Sequence, residues 1–329
     1  MKVSVMLTQL FSGLNHLIEK KHIDMKNLYY LFILILFSGC SENDNIHQQD
    51  HLGKTGINIY LVKEDEPQFA TDQLNPAELQ LEETPWLKYA EIGFYDWSSH
   101  IFYLKNEKSK SNLAGRNFVV MAGDKPLFAG IFFPAWMSSI PQIPSIIAHD
   151  DIFPDDVVAF GQYGYIHSGN MDNQTEFKKA LVSAGLFMRG IEVDVVSLKK
   201  CSSSSLEYTF KVTNRDVMSI YVPDPGKMGD KRFHFFTNGV FLQDEKTIYY
   251  PNNESTATEN IESGWYKKLR PGESMTRTVR AGGFQYLPSG TVTCYFAFPG
   301  AKVETGEWKR HNGRIWVGNI RIEKEMNLK

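Results

Sequence analysis

The densest run of ligand-capable side chains is His149-Asp150-Asp151, with Asp155 and Asp156 just after it. An imidazole and carboxylates this close can hold a cation. A hard ion such as Ca²⁺ takes oxygen ligands of the kind these aspartates offer. Zn²⁺ needs further ligands, and no second histidine stands at a standard spacing from His149. A metal held here would support a metal-assisted hydrolase working over Asp150–Asp156. The competing reading is a solvated turn between strands, closed by its own Asp side chains.

Other nucleophile and base patterns are sparse. His100, His167, His234 and His311 stand singly. A serine triad needs its nucleophile on a strained turn beside a base. The turns Gly272-Glu273-Ser274 and Pro288-Ser289-Gly290 do not match the G-x-S-x-G elbow. The sequence contains neither a Walker loop nor G-x-G-x-x-G. No catalytic residue and no cofactor is assigned on these grounds, and enzymatic activity stays an open question.

Aromatic side chains offer binding chemistry instead, because exposed rings stack on sugar faces or anchor protein partners. The best candidates are Tyr163 and Tyr165 in Gly161-Gln162-Tyr163-Gly164-Tyr165, whose glycines leave both rings in a loop, together with Trp97. Trp86, Tyr95, Trp136, Trp265, Trp308 and Trp316 extend the set. The alternative is that these large rings fill the core of a β protein.

The stretch that places the chain is Leu28–Cys40. Leu28–Phe37 is an unbroken apolar run without charge, preceded by Lys26 and followed by Ser38-Gly39. It is about half the ~20 residues that a spanning helix needs. A short apolar run behind a lysine and before small residues is the layout of a secretory signal. Phe37-Ser38-Gly39-Cys40 resembles the lipobox of bacterial lipoproteins, with Phe37 where leucine is usual. That resemblance implies cleavage before Cys40, a diacylglycerol on its sulfur, and residence in the cell envelope on a lipid anchor. The outer membrane is favoured, on its periplasmic or its surface face. Residues 25–39 are then the signal peptide, and residues 1–24 are upstream sequence or a long n-region. A buried helix or signal anchor is the other reading of the apolar run.

Residues 40–54 are polar and lack an apolar period, so they read as a flexible tether. Glu42 and Asp44 resemble the acidic export signal of surface lipoproteins of the Bacteroidota. The chain has 329 residues, 35 Lys plus Arg and 38 Asp plus Glu. With no basic excess to neutralise phosphates, a nucleic-acid partner is not expected. The expected partners are the membrane, through the anchor, and a protein or a glycan. Of three cysteines, Cys201 and Cys294 remain after Cys40. Cys294 alternates with Val292, Phe296 and Phe298, which marks it as a buried thiol. An envelope location would permit a bond between the two, but an inert pair is the simpler reading.

Two regions follow the tether. Residues 55–189 are predicted to be α+β: a mixed or antiparallel sheet with one packed helix. The hairpin Asn117–Phe133, with its turn at Gly123-Asp124-Lys125-Pro126, is the clearest signal. The helix is predicted over 172–186, with Phe177, Ala180, Leu181 and Ala184 on one face. The order of EIGFYD, a strand and MAGDKPLFAGIFF resembles the head of the SecD periplasmic domain and secreted bacterial proteins without assigned activity. Residues 190–325 are predicted to be all-β, with strands over 191–198, 206–212, 233–241, 248–250, 265–269, 274–279, 291–298 and 315–322, no helix, and a tail at 326–329. LEYTFKVTN, LRPGESMTRTV and LPSGTVTCYFAF resemble an immunoglobulin-like β-sandwich of the bacterial secreted type, and bacterial proteinase inhibitors share that architecture. Three functions therefore stand: a non-enzymatic binding or envelope-assembly role, a metal-assisted hydrolase, and a structural spacer in an envelope complex.

Overall fold

The clearest sequence pattern, strict alternation in 291–298, becomes a strand whose inward side chains Val292, Cys294, Phe296 and Phe298 are all buried. Alternation of this kind, repeated along the chain, produces a sheet-rich protein. The computed structural model describes residues 56–63, 75–134, 143–148, 153–161, 174–237, 239–258 and 261–329. His149, Asp150, Asp151, Tyr163, Tyr165 and Cys40, with the whole signal segment, lie outside the described residues. Those described fall in one compact unit, Gly53–Lys329. None of their helices is long and apolar enough to cross a membrane.

Before residue 190 the elements are β1 (Ile57–Leu61), β2 (Ile92–Asp96), β3 (Ile101–Leu104), β4 (Asn117–Ala122), β5 (Lys125–Phe133), β6 (Ser145–Ile147), β7 (Val157–Ala159), α1 (Thr175–Ser183) and β8 (Phe187–Met188). They form two four-stranded sheets, ordered β1-β4-β5-β6 and β7-β3-β2-β8. The β4–β5 turn is tighter than the sequence predicts. Gly123 takes a left-handed φ of 60°, and β5 already starts at Lys125. Pro126 sits opposite Met121 at a register shift. A residue without an N–H is tolerated at such a bulge. Helix α1 buries Phe177 and Leu181 and stops before Gly185, whose φ is 70°. The Phe177 ring meets Tyr95, Phe102 and Phe128 edge-on, so the helix closes the core between the sheets.

After residue 190 come β9 (Ile191–Ser202), β10 (Ser205–Asn214), β11 (Ser219–Pro223), α2 (Pro225–Met228), α3 (Asp230–Thr237), β12 (Val240–Gln243), β13 (Ile248–Tyr249), β14 (Tyr266–Leu269), β15 (Ser274–Ala281), β16 (Gly290–Phe298), β17 (Lys309–Arg310), β18 (Gly313–Ile315) and β19 (Ile320–Leu328). The sheets are β15-β10-β9, β14-β11-β18-β17 and β13-β12-β16-β19. The first and third pack together through Tyr208, Phe210, Phe296 and Phe298, with ring centres 5.1–5.8 Å apart for the pairs that cross between them.

Three expectations change here. Residues 233–241 are not one strand. Asp224 caps α2 by accepting from Gly226 N at 2.9 Å, with Pro225 at the first helical position. Phe233 and Thr237 then share the buried side of α3 at helical spacing. Two helices thus stand where none was expected, and the strand begins only at Val240. Residues 315–322 also divide. The chain leaves β18 after Ile315, and β19 pairs with β16 from Ile320. Finally, β19 runs to Leu328, which is buried, so the expected tail is mostly strand.

Among the described residues Cys201 and Cys294 are free thiols, the first exposed and the second buried. Burial pushes the Cys294 thiol up to about 12. Only the thiolate alkylates readily. Brief iodoacetamide treatment of the native protein at pH 8 is therefore expected to modify Cys201 and spare Cys294, and peptide mass mapping reads the ratio. Equal modification of the two would contradict this packing.

Candidate functional site

Chemistry-bearing side chains gather in two places. The first joins the sheets of the two regions. Arg314 leaves β18 and enters the core with its side chain fully buried. Its Nη2 donates to Asp216 Oδ2 at 2.8 Å. Nη1 lies 2.5 Å from Asp96 Oδ2, a charge contact that is off the line of the N–H bond. The guanidinium carbon sits 5.1 Å from the ring centres of both Phe94 and Tyr103. Burial opposes the charge of Arg314, but Asp96, Tyr103 and Asp216 outweigh it, so its pKa is raised and the side chain stays cationic.

Asp96 ends β2, and its other oxygen accepts from Ser98 N, Ser98 Oγ and Ser99 N at 2.7–3.2 Å. Ser98 Oγ accepts from Ile191 N at 3.0 Å, which ties the β2–β3 turn to β9. Gly190, at a φ of 79°, leaves room for this knot. A Cβ there would strike the Asp96 carboxylate and Ser98 Oγ. The one cation holds both carboxylates out of reach of solvent. The arrangement suits a structural clamp, since nothing in it faces a substrate.

The sequence candidates that are described lie beside this clamp. Asp156 Oδ2 accepts from Trp308 Nε1 at 2.8 Å and from Gly306 N at 3.0 Å. Asp155 lies 3.5 Å from the buried ammonium of Lys110, and its N–H reaches Thr305 Oγ1 at 3.3 Å. Both aspartates are thus engaged with protein groups. Among the described residues no group of three or more His, Cys, Asp or Glu is placed to hold a metal. Trp97 is half-buried against Tyr95, His100 and Phe187, with the Lys178 ammonium 5.4 Å over its ring. Trp265, Trp308, Trp316 and Tyr95 are buried. His100 and His234 are buried too, and His311 is exposed.

The second place was not singled out from the sequence. It is the outer face of β13-β12-β16-β19. The registers put Phe241, Tyr295 and Glu323 in one row across three strands. Phe241 and Tyr295 stack in parallel, with centres 4.5 Å apart and planes 8° from parallel. Tyr250, just past β13, lies 5.4 Å from Phe241 on its other side and is 63% exposed. Among the described residues Tyr250 has no other ring neighbour, so it ends the stack with an open face. The adjoining row is Ile248, Gln243, Thr293 and Glu325.

Local structure presents this face. The turn after β12 is held by Asp244 Oδ1, which accepts from Lys246 N and Thr247 N at 2.9 and 2.8 Å. The Tyr249 hydroxyl donates to Asp244 Oδ2 at 2.5 Å. Tyr249 therefore points inward and pins β13, while alternation turns Tyr250 outward. The sequence signal was available: an aromatic at 295 falls on the face opposite Val292, Cys294, Phe296 and Phe298.

No family model matches the chain, and no curated protein matches it. Among solved structures it is similar to a β-glucosidase from Listeria innocua in complex with glucose, at 16% identity and a TM-score of 0.19, over 40% of this chain and 16% of that one. A likeness of that size carries no argument about fold or activity.

Proposed function

We infer that this chain is a lipid-anchored protein of the bacterial cell envelope with a non-enzymatic binding role, and that the outer face of β13-β12-β16-β19 is its binding surface. The observation that carries the surface is the three-ring row Tyr250–Phe241–Tyr295, open to solvent at Tyr250. Rings held in register by a sheet lose little freedom on binding, which favours contact energy over ordering cost. The envelope location rests on Leu28–Phe37 and Phe37-Ser38-Gly39-Cys40. The second region is read as an immunoglobulin-like sandwich. The facing aromatic contacts between β10 and β16 support that reading, and such a sandwich suits a presenting scaffold.

Two measurements test the reading. A labelled fatty acid fed to cells that make the full chain is expected to enter the wild type and to be absent from Cys40→Ala. Absence from both would remove the anchor. Purified protein carrying Cys40→Ala, and so without the anchor, is expected to be retained by isolated envelopes, and adding Tyr250→Ala to lower that retention several-fold. Equal retention of the variant would remove the surface.

A further inference from the structure

We propose that the open end of the Tyr250–Phe241–Tyr295 stack binds a neutral, pyranose-containing glycan. This rests on the surface reading above and names its ligand.

The geometry of the rings comes first. Phe241 and Tyr295 each turn one face to the other; the second face of Phe241 is met by Tyr250, and that of Tyr295 lies toward Glu323, which accepts from the Tyr295 hydroxyl at 3.4 Å. The free π-face of the row belongs to Tyr250, at the sheet edge. One flat apolar ring can continue the stack there, and the C–H face of a pyranose has that shape. The second ground is the adjoining row. Gln243 supplies an amide, Thr293 a hydroxyl, and Glu325 a carboxylate, with Glu323 at the far end of the aromatic row. An amide and carboxylates beside a ring can accept from and donate to a series of hydroxyls. An apolar protein partner would leave these groups without hydrogen bonds, at a cost.

Charge narrows the class. Glu323 and Glu325 are exposed on this face, with Arg321 alone beyond them on the same side of β19. Two carboxylates disfavour an acidic polysaccharide or an anionic bilayer. A β-strand partner is disfavoured as well. At the edge that carries Tyr250 the strand is β13, which is two residues long, too short to template strand addition. An uncharged occupant rich in hydroxyls meets all of these conditions.

The test is saturation-transfer NMR and calorimetry on the full-length protein with cellohexaose, maltohexaose and mannohexaose, with hexagalacturonate as the anionic contrast. At least one neutral hexasaccharide is expected to bind. Tyr250→Ala should weaken it about tenfold or more, equivalent to ~1.4 kcal/mol, and Tyr250→Phe should restore most of it because the ring face is kept. Glu325→Gln should change the affinity by a few-fold at most, since an amide still accepts hydrogen bonds. If no neutral probe binds in a Tyr250-dependent way while envelope retention still depends on Tyr250, the glycan is wrong and the surface stands. Hexagalacturonate binding as tightly as the best neutral probe also overturns the ligand class. If Tyr250→Ala affects neither, surface and ligand fall together.

Discussion

Replacing Arg314 with leucine is expected to destabilise the protein by about 3–5 kcal/mol, the usual result of removing one partner from a buried ion cluster. The substitution leaves Asp96 Oδ2 and Asp216 Oδ2 buried without a cation, and it removes the group packed beside the stacked Phe94 and Tyr103 rings. For a unit of this size the thermal midpoint should fall by roughly 6–20 °C. The measurement is a pair of urea titrations with thermal scans. A variant within about 0.5 kcal/mol of the wild type, the range of ordinary surface changes, would show that the clamp is not structural. The triple variant Asp96→Asn, Arg314→Leu, Asp216→Asn should recover part of the loss. It removes the charges together, and a buried ion cluster as a whole contributes far less than breaking it costs.

Trp308→Ala is expected to cost about the same, ~3–5 kcal/mol for a large buried aromatic. The ring packs edge-on to Tyr103 at 4.6 Å and to Phe94 at 5.9 Å, and its Nε1 donates to the buried Asp156. Trp308→Phe separates the two contributions. It keeps most of the ring contact and removes only the donor, so about 1–3 kcal/mol should remain as the cost of under-serving the carboxylate. If Trp308→Phe proves as damaging as Trp308→Ala, the hydrogen bond dominates. If it is silent, Gly306 N and the Lys309 ammonium 3.6 Å away serve Asp156 well enough. Trp308 and Arg314 share Phe94 and Tyr103 as neighbours, so their effects should not add.

What the sequence made legible was local. The Asn117–Phe133 hairpin, the alternation of 291–298 and the apolar face of α1 are each visible within a short window, and each was realised within a few residues. Residues 233–241 failed because an aromatic-rich stretch fits a strand as readily as a helix. The Asp224 cap that starts α2 and the left-handed Gly229 between α2 and α3 lie upstream of it. Arg314 gave no signal. Its partners Asp96 and Asp216 are near neither Arg314 nor each other in the chain, and only the fold brings them together. The aromatic row was hidden for a related reason. Phe241, Tyr250 and Tyr295 become neighbours through strand register, while Trp265, Trp308 and Trp316, each conspicuous as a single large ring, fill the core.

The cluster around Arg314 bears on where the molecule can be divided. Every sheet among the described residues draws its strands from one side of residue 190, so backbone pairing marks a boundary there. Side-chain packing ignores it. Phe94, Ile101, Tyr103 and Val157 from the first half share one hydrophobic core with Val212, Trp308 and Trp316 from the second. Dissection at residue 190 would spare every ladder hydrogen bond and still cut through that core. Two separately expressed halves would each carry a raw apolar face, one with unpaired Asp96 and the other with Asp216 and Arg314. Such halves are suited to find each other again rather than to live apart.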